Sequence, residues 1–402
     1  MAASPDRVPR RILPVIVLSQ FAGTSLWFAG NAVMGDLQRQ WQLPAGALGT
    51  MTSAVQFGFI AGTLCFAWFA WADRFSSRLL FLVSALLGAT ANLLIWLAAA
   101  GLPSLLLCRF FTGFFLAGIY PVGMKVAVAW YRQGVGRAIG YLVGALVLGT
   151  AFPHLLRALG GELPWPAVIA ASSAVAAAGG ALLYLLVPDG PHLPPGRRLQ
   201  PGALKTVIRC PDFRRACFAY FGHQWELYAL WTFTPALLAA YAKHHGLAGF
   251  PVSLWSFFII GAGAAGCVFG GIVSRRTGSL GVAFAQLAAS GSCCLLVPLF
   301  FRLPPPLFLP FLLLWGITVV GDSPQYSALS ARTAPPEQVG SALTLMNCLG
   351  FAVTIGSIQL LAFLMQRLPL PDLLPLLGFG PLFGLRQLWH LGRRKEAAQL
   401  GR

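Results

Sequence analysis

Two carboxylates lie in segments that are otherwise apolar enough to cross a membrane: Glu226, within residues 221–241, and Asp322, within residues 307–332. An ionisable side chain at bilayer depth costs several kcal/mol unless it is paired, hydrated or protonated, so such residues mark substrate paths, ion paths or proton relays. The chain has only eleven acidic residues, and the others can be placed in water or at a membrane surface. Desolvation favours the neutral form of a carboxyl group, which suits Glu226 to loading and releasing a proton near neutral pH. A permanent ion pair or a hydrogen bond between helices is the alternative. Asp322 lies two residues before Pro324. A proline ring removes one backbone donor and clashes with the carbonyl four residues back. Asp322, Ser323 and Gln325 can satisfy the backbone groups that such a bend frees; Asp322 can equally contact substrate, couple to a proton or pair with Lys125.

The surroundings of Glu226 are polar and aromatic: His223, Gln224, Trp225, Tyr228 and Trp231. In a helix, residues 223, 227, 230 and 234 share one face and residues 224, 228 and 231 another. Trp27, Tyr120, Trp225, Tyr228 and Tyr326 could cage a ring or a cation, although such residues are common in membrane helices. The candidates for substrate binding or proton coupling are therefore Glu226, Asp322, Lys125, Tyr120, Trp225, Tyr228 and Gln325. Lys125 is near enough to a helix end to reach the membrane surface instead. His154 is expected near the outer surface as an ordinary polar group.

These residues must be held by membrane helices. The 402-residue chain is 57% hydrophobic and only 10% charged, against about 25% charged in soluble proteins. A hydrocarbon core roughly 30 Å thick needs about 20 apolar residues per helix. Runs of that kind predict spans over residues 12–34, 47–70, 79–100, 104–130, 138–158, 165–187, 215–241, 254–274, 280–300, 307–331, 339–364 and 371–390. The fold class is an all-α membrane protein with twelve transmembrane helices in two six-helix, pseudo-symmetric halves. Residues 1–188 form the first half, 189–212 a polar linker and 213–402 the second half.

The net charge of +17 does not call for nucleic acid, because the basic residues are sorted by side. Arg39, Arg157, Lys243, Arg302 and Arg367 fall at one end of the predicted spans, and Arg109 and Lys125 lie within a span. The remaining Lys and Arg residues gather at the end that carries both termini. The positive-inside bias makes that end cytoplasmic, and attraction to anionic lipid is a sufficient role for the charge. The eight cysteines show no metal or redox spacing and serve as small apolar residues. The apolar stretch at residues 12–34 is too long for a signal-peptide core and is retained as the first span.

Internal similarity supports a duplication. Gly113, Gly118 and Pro121 recur as Gly316, Gly321 and Pro324, each 203 positions later. Asp73 and Arg74 recur as Arg275 and Arg276 at an offset of 202, and Gly136 recurs as Gly340 at 204. Parallel repeats with a site between them near the midplane are a recurring transporter plan.

With these features the chain resembles the major facilitator superfamily over nearly its whole length. Asp73, Arg74 and Arg78 match that family's short loop after span two, while Ser76, Ser77 and Phe69 stand where glycine, a base and glycine are usual. In the second copy Gly270 and Gly271 fit, but Arg275 replaces the acid. Arg109 and Gly113 match the family's span-four pattern. Gly144 is followed by Ala145, where its antiport signature has proline. Residues 223–228 and 321–326 are loosely similar to a bacterial branch grouped with nitrate- or cyanate-type carriers. The resemblance implies gating roles for Asp73, Arg74, Arg78, Arg109 and Gly113, and a cavity lined by spans one, four, seven and ten.

The function expected is secondary transport, proton-coupled, of a small polar or charged organic solute by alternating access. The alternatives are a drug or metabolite exporter and a non-transporting scaffold or receptor. No enzyme is expected: Gly261, Gly263 and Gly266 match a dinucleotide pattern by letters only, inside an apolar span where close helix packing explains them. No metal and no cofactor is expected. The partners are the solute, protons and membrane lipid, with no nucleic acid, and the protein is expected to be a monomer of the bacterial inner membrane. With both termini cytoplasmic, Pro5→Cys or Leu400→Cys in an otherwise cysteine-free chain should resist an impermeant thiol reagent in intact cells and react once the cells are broken; reaction in intact cells would overturn the topology.

Overall fold

The computed structural model describes residues 8–131, 135–159, 163–192, 205 and 209–400. Residues 193–204 and 206–208 of the expected linker lie outside these, as do Arg7, Arg132, Arg197, Arg198 and Arg402. The described chain is helical because a backbone in hydrocarbon must satisfy its own polar groups. Span one is Ile12–Thr24 continued by Ala29–Ala32 and Met34–Trp41, span two Ala47–Trp68, and span three Ser77–Leu97. Span four is Leu102–Leu116 plus Tyr120–Trp130, span five Val135–Ala158, span six Trp165–Leu186, and span seven Pro211–His244. Spans eight and nine share the helix Val252–Phe300, divided at Gly278, whose φ of 79° a side chain would strain. Span ten is Pro305–Gly321 plus Ser323–Thr333 and span eleven Val339–Leu364. Span twelve opens with Leu370–Leu373 and a 3-10 turn, Leu374–Gly378, and continues as Phe379–Leu400.

Among the described residues, eight helices are long and apolar enough to cross a membrane by themselves. Val252–Phe300 is one of them and crosses twice. Spans one, seven and twelve fall outside that set because the first and last are interrupted and the seventh carries a polar run. The result is an all-α membrane fold of twelve spans in two pseudo-symmetric halves.

The duplication is physical as well as textual. A Cβ on Gly113 would lie 2.0 Å from the Val55 carbonyl oxygen, and one on Gly316 would lie 1.9 Å from that of Ile259. The reciprocal positions behave alike: Gly62 faces the Phe114 oxygen at 2.3 Å and Gly266 the Ile317 oxygen at 2.0 Å. Spans two and four therefore touch backbone to backbone, and spans eight and ten repeat that contact. Small residues permit such approach in membranes, where packing rather than water expulsion joins helices. The halves meet along two seams, span two against span eleven and span five against span eight.

The break in span ten falls at Asp322, as the proline predicts, and the repeat breaks span four at residues 117–119. Span one was expected to be continuous over 12–34 and is instead interrupted at residues 25–28, with no proline there.

Gly316→Ala should destabilise the protein by about 1–3 kcal/mol through overpacking, read as a lower melting midpoint in detergent. Gly271→Ala, with nothing within 4 Å of the new carbon, should change it little. Equal midpoints for the two variants would refute the close-packing role.

Candidate functional site

The interruption in span one presents Trp27 and Phe28 to the centre of the molecule. Its cause is Arg109 on span four, which is fully buried. Its guanidinium donates to the Leu26 carbonyl at 3.0 Å, to the Trp27 carbonyl, and to Asn92 Oδ1 at 3.1 Å. Two carbonyls freed from the helix are thus satisfied by one planar fork of donors. Trp27 Nε1 adds a bond to Gln56 Oε1 at 3.3 Å.

Trp27 and Phe28 build an aromatic layer with Phe59, Tyr228, Trp231 and Phe351. Trp27 stacks on Phe351 with ring centroids 5.6 Å apart and lies 5.7 Å from Tyr228. Phe28 meets Trp231 edge-on at 6.2 Å, and Phe59 lies 4.6 Å from Phe351. All six rings are buried. The layer draws on both halves, with Trp27, Phe28 and Phe59 from the first and Tyr228, Trp231 and Phe351 from the second.

Beneath it is a cavity of about 210 Å³. Tyr120, Met124, Val143 and Leu146 wall it from the first half. Gln224, Tyr228, Trp231, Ser323, Ser327 and Asn347 are among its walls from the second. Residues 224, 228 and 231 are the helical face that the sequence spacing grouped. Gly350 makes room for the neighbouring Tyr220, since a Cβ there would lie 2.4 Å from that ring. A larger vestibule of about 850 Å³ shares Pro121 with this cavity and extends toward Asp73, Lys125 and Glu337.

The two carboxylates lie behind the cavity wall, in different settings. Glu226 is fully buried in the second half; Trp315 Nε1 donates to Oε1 at 2.6 Å and Ser290 Oγ donates to Oε2 at 2.9 Å. Asp322 Oδ1 is 2.9 Å from His223 Nδ1, and both side chains are 1% exposed. His223 Nε2 is 2.8 Å from Ser323 Oγ, and Ser323 lines the cavity. The imidazole thus lies between the carboxylate and a cavity-lining serine, while both Asp322 oxygens lack a hydrogen-bond partner.

Lys125 does not reach Asp322. Its ammonium donates to Asp73 Oδ1 and to the Ala72 carbonyl, because the stem runs toward the loop after span two. The expected tie between halves is therefore a tie within the first half. Trp225 does not face the cavity either: its ring lies in a groove with Phe218, Phe221 and Phe383, and its Nε1 donates to the Leu376 carbonyl at 3.3 Å. Tyr326 is buried beside His223, with ring centroids 5.2 Å apart, rather than in a cage with Tyr120 and Tyr228. Gln325 is buried within span ten and does not line the cavity. His154 is buried. Of the sequence candidates, Tyr120 and Tyr228 line the central cavity and Lys125 the vestibule.

Around the loop, Ser76 Oγ donates to both Asp189 oxygens at 2.9 Å, and Arg78 Nε lies 3.6 Å from Asp189. Arg74 is exposed. Gly113 serves the helix contact already described. Sequence spacing did not reveal His223 as the partner of Asp322, nor Trp315 and Ser290 as donors to Glu226. The one available signal was a histidine inside an apolar span, which rarely lacks a partner.

Arg109→Lys should leave part of the span-one acceptor set unserved, costing about 1–3 kcal/mol per unsatisfied buried group. A melting midpoint equal to that of the parent would refute the anchoring role.

Residues 14–357 match the Major Facilitator Superfamily. No curated protein matches the sequence. Among solved structures, the human organic anion transporter MFSD10 (TETRAN) superposes with a TM-score of 0.72 at 16% identity, covering 95% of this chain and 100% of its own. The proton:xylose symporter XylE gives 0.72 at 13% identity, with 94% of each chain covered. The nucleoside transporter NupG gives 0.70 at 14% identity, with 94% and 99% covered. At these identities the structural likeness speaks for the fold, and the sequence match over most of the chain speaks for the family. This chain belongs to the major facilitator superfamily of membrane transporters.

Proposed function

We propose that this protein is a secondary carrier that moves a small organic solute by alternating access and couples the movement to protons. The observation that carries the reading is a cavity walled by both halves, bordered by rings of an aromatic layer and sharing Pro121 with a larger vestibule. Rocking of two halves about a fixed central site is the usual motion of such folds. We assign residues 1–188 and 213–402 to the halves and 189–212 to the linker. The protein is placed in the bacterial inner membrane with both termini cytoplasmic, so the vestibule faces the cytoplasm. Asp73, Lys125, Ser76, Arg78 and Asp189 form the polar cluster that rearranges when the vestibule closes. An exporter of drugs or metabolites is the second reading, favoured by the aromatic walls.

For the proton site, the geometry favours the His223–Asp322 pair over Glu226. The sequence suits Glu226 to proton exchange and offers Asp322 two other uses, the backbone of its bend and Lys125, of which Lys125 is engaged elsewhere. Both Glu226 oxygens accept bonds inside the second half, away from the cavity. Asp322 communicates with the cavity through His223 and Ser323.

The test is uptake into sealed proteoliposomes with an imposed pH gradient, screened over a solute panel. Asp322→Asn should abolish pH-driven accumulation while retaining exchange down a solute gradient, and Glu226→Gln should retain both. The reverse pattern would move the coupling site to Glu226. Uphill transport with an unchanged pH profile in both variants would overturn proton coupling through either carboxylate.

A further inference from the structure

The central cavity contains no ionised wall. None of the side chains that line it is a Lys, Arg, His, Asp or Glu. Asp73 and Lys125, in the vestibule, are paired with each other. The His223–Asp322 pair lies behind Ser323 and does not line the cavity. A charged solute would leave water here for a cavity whose walls supply no counter-charge, and burying an unpaired charge is strongly unfavourable.

Two residues of the wall each carry a buried polar atom with no hydrogen-bond partner within the protein. Gln224 is 3% exposed; its Nε2 donates to the Tyr220 hydroxyl, and its Oε1 is unpartnered. Trp231 is 1% exposed, and its Nε1 is likewise unpartnered. Buried polar groups of native proteins are nearly always satisfied, so an unmet acceptor and an unmet donor on two residues that line one cavity call for a complementary ligand. The two residues lie seven positions apart on span seven, two helical turns, so their backbones are displaced by about 10 Å along one face. Between them the cavity is flanked by Tyr228, Phe351 and Tyr120, whose ring faces suit another ring. The volume of about 210 Å³ equals the share of roughly seven water molecules, enough for a single ring with small substituents.

We propose that this cavity selects an uncharged, single-ring solute that presents an N–H or O–H to Gln224 Oε1 and an acceptor to Trp231 Nε1. The proposal rests on the carrier reading and narrows its substrate from polar or charged to neutral. Ring stacking supplies affinity, and the two polar atoms supply orientation.

The test uses the purified full-length protein and matched probes: benzamide, nicotinamide and uracil as neutral rings, benzoate, nicotinate and orotate as anions, and benzylammonium as a cation. Binding is read by thermal stabilisation in detergent and movement by uptake into proteoliposomes. At least one neutral probe should bind, with its charged counterparts at least ten-fold weaker. Gln224→Leu and Trp231→Phe should each weaken that probe ten-fold or more. Trp68→Phe, at a ring that is 63% exposed on the outside of the bundle, should stay within two-fold. Melting of the unliganded variants separates a lost contact from a lost fold, and Trp231→Phe keeps the ring while deleting only the donor side of the indole. Charged probes binding as well as neutral ones, no neutral probe binding, or full binding by both folded variants would overturn the proposal. Neutral probes that bind but never cross the bilayer would instead refute the carrier reading and leave the selectivity intact; uptake confined to ionised solutes would do the opposite.

Discussion

A backbone that leaves helical geometry inside a bilayer must find partners for the groups it frees, and this requirement organises the centre of the molecule. Span one is interrupted at residues 25–28, and Arg109 serves the exposed carbonyls of Leu26 and Trp27. That anchoring turns Trp27 inward, where it meets Phe59, Tyr228 and Phe351. The aromatic layer therefore depends on a buried cation that touches none of its ring faces. An arginine is suited to the task because its fork satisfies separated acceptors at once and stays charged where a lysine would readily lose its proton.

The glycine contacts supply the complementary rigidity. Spans two and four are locked backbone to backbone within the first half, and spans eight and ten within the second. The seams differ: a Cβ on Gly144 of span five would find Ala264 at ordinary van der Waals distance, whereas one on Gly49 of span two would lie 2.6 Å from the Ala362 Cβ of span eleven. One polar tie, Gln359 Nε2 donating to Ser53 Oγ at 2.9 Å, crosses the seam of spans two and eleven.

Much of the fold is legible in the sequence because its signals are local. Hydrophobic length marks the spans, Pro324 marks the break at Asp322, and Gly113 and Gly316 mark equivalent contacts. The site is less legible because its decisive contacts are not local. His223 and Asp322 are almost a hundred residues apart, and only the rotation of spans seven and ten brings them together. Lys125 finds Asp73 because its stem points along the helix toward the loop, a direction that an offset between repeats does not encode. Trp225 adjoins two buried polar residues in sequence, yet one position along a helix turns a side chain by about 100° and sends this one toward span twelve. The break in span one has no proline to announce it, since its cause sits on another helix.

The two ends of the central passage are held by forces of different kinds. The aromatic layer is closed by apolar and ring contacts, whose strength follows temperature and responds little to ordinary salt. The loop cluster at the other end depends on the Asp73–Lys125 and Arg78–Asp189 pairs, with side chains 18–37% exposed, within reach of mobile ions that screen charges over about 8 Å at physiological ionic strength. Ionic strength and heat therefore act on opposite ends of one molecule.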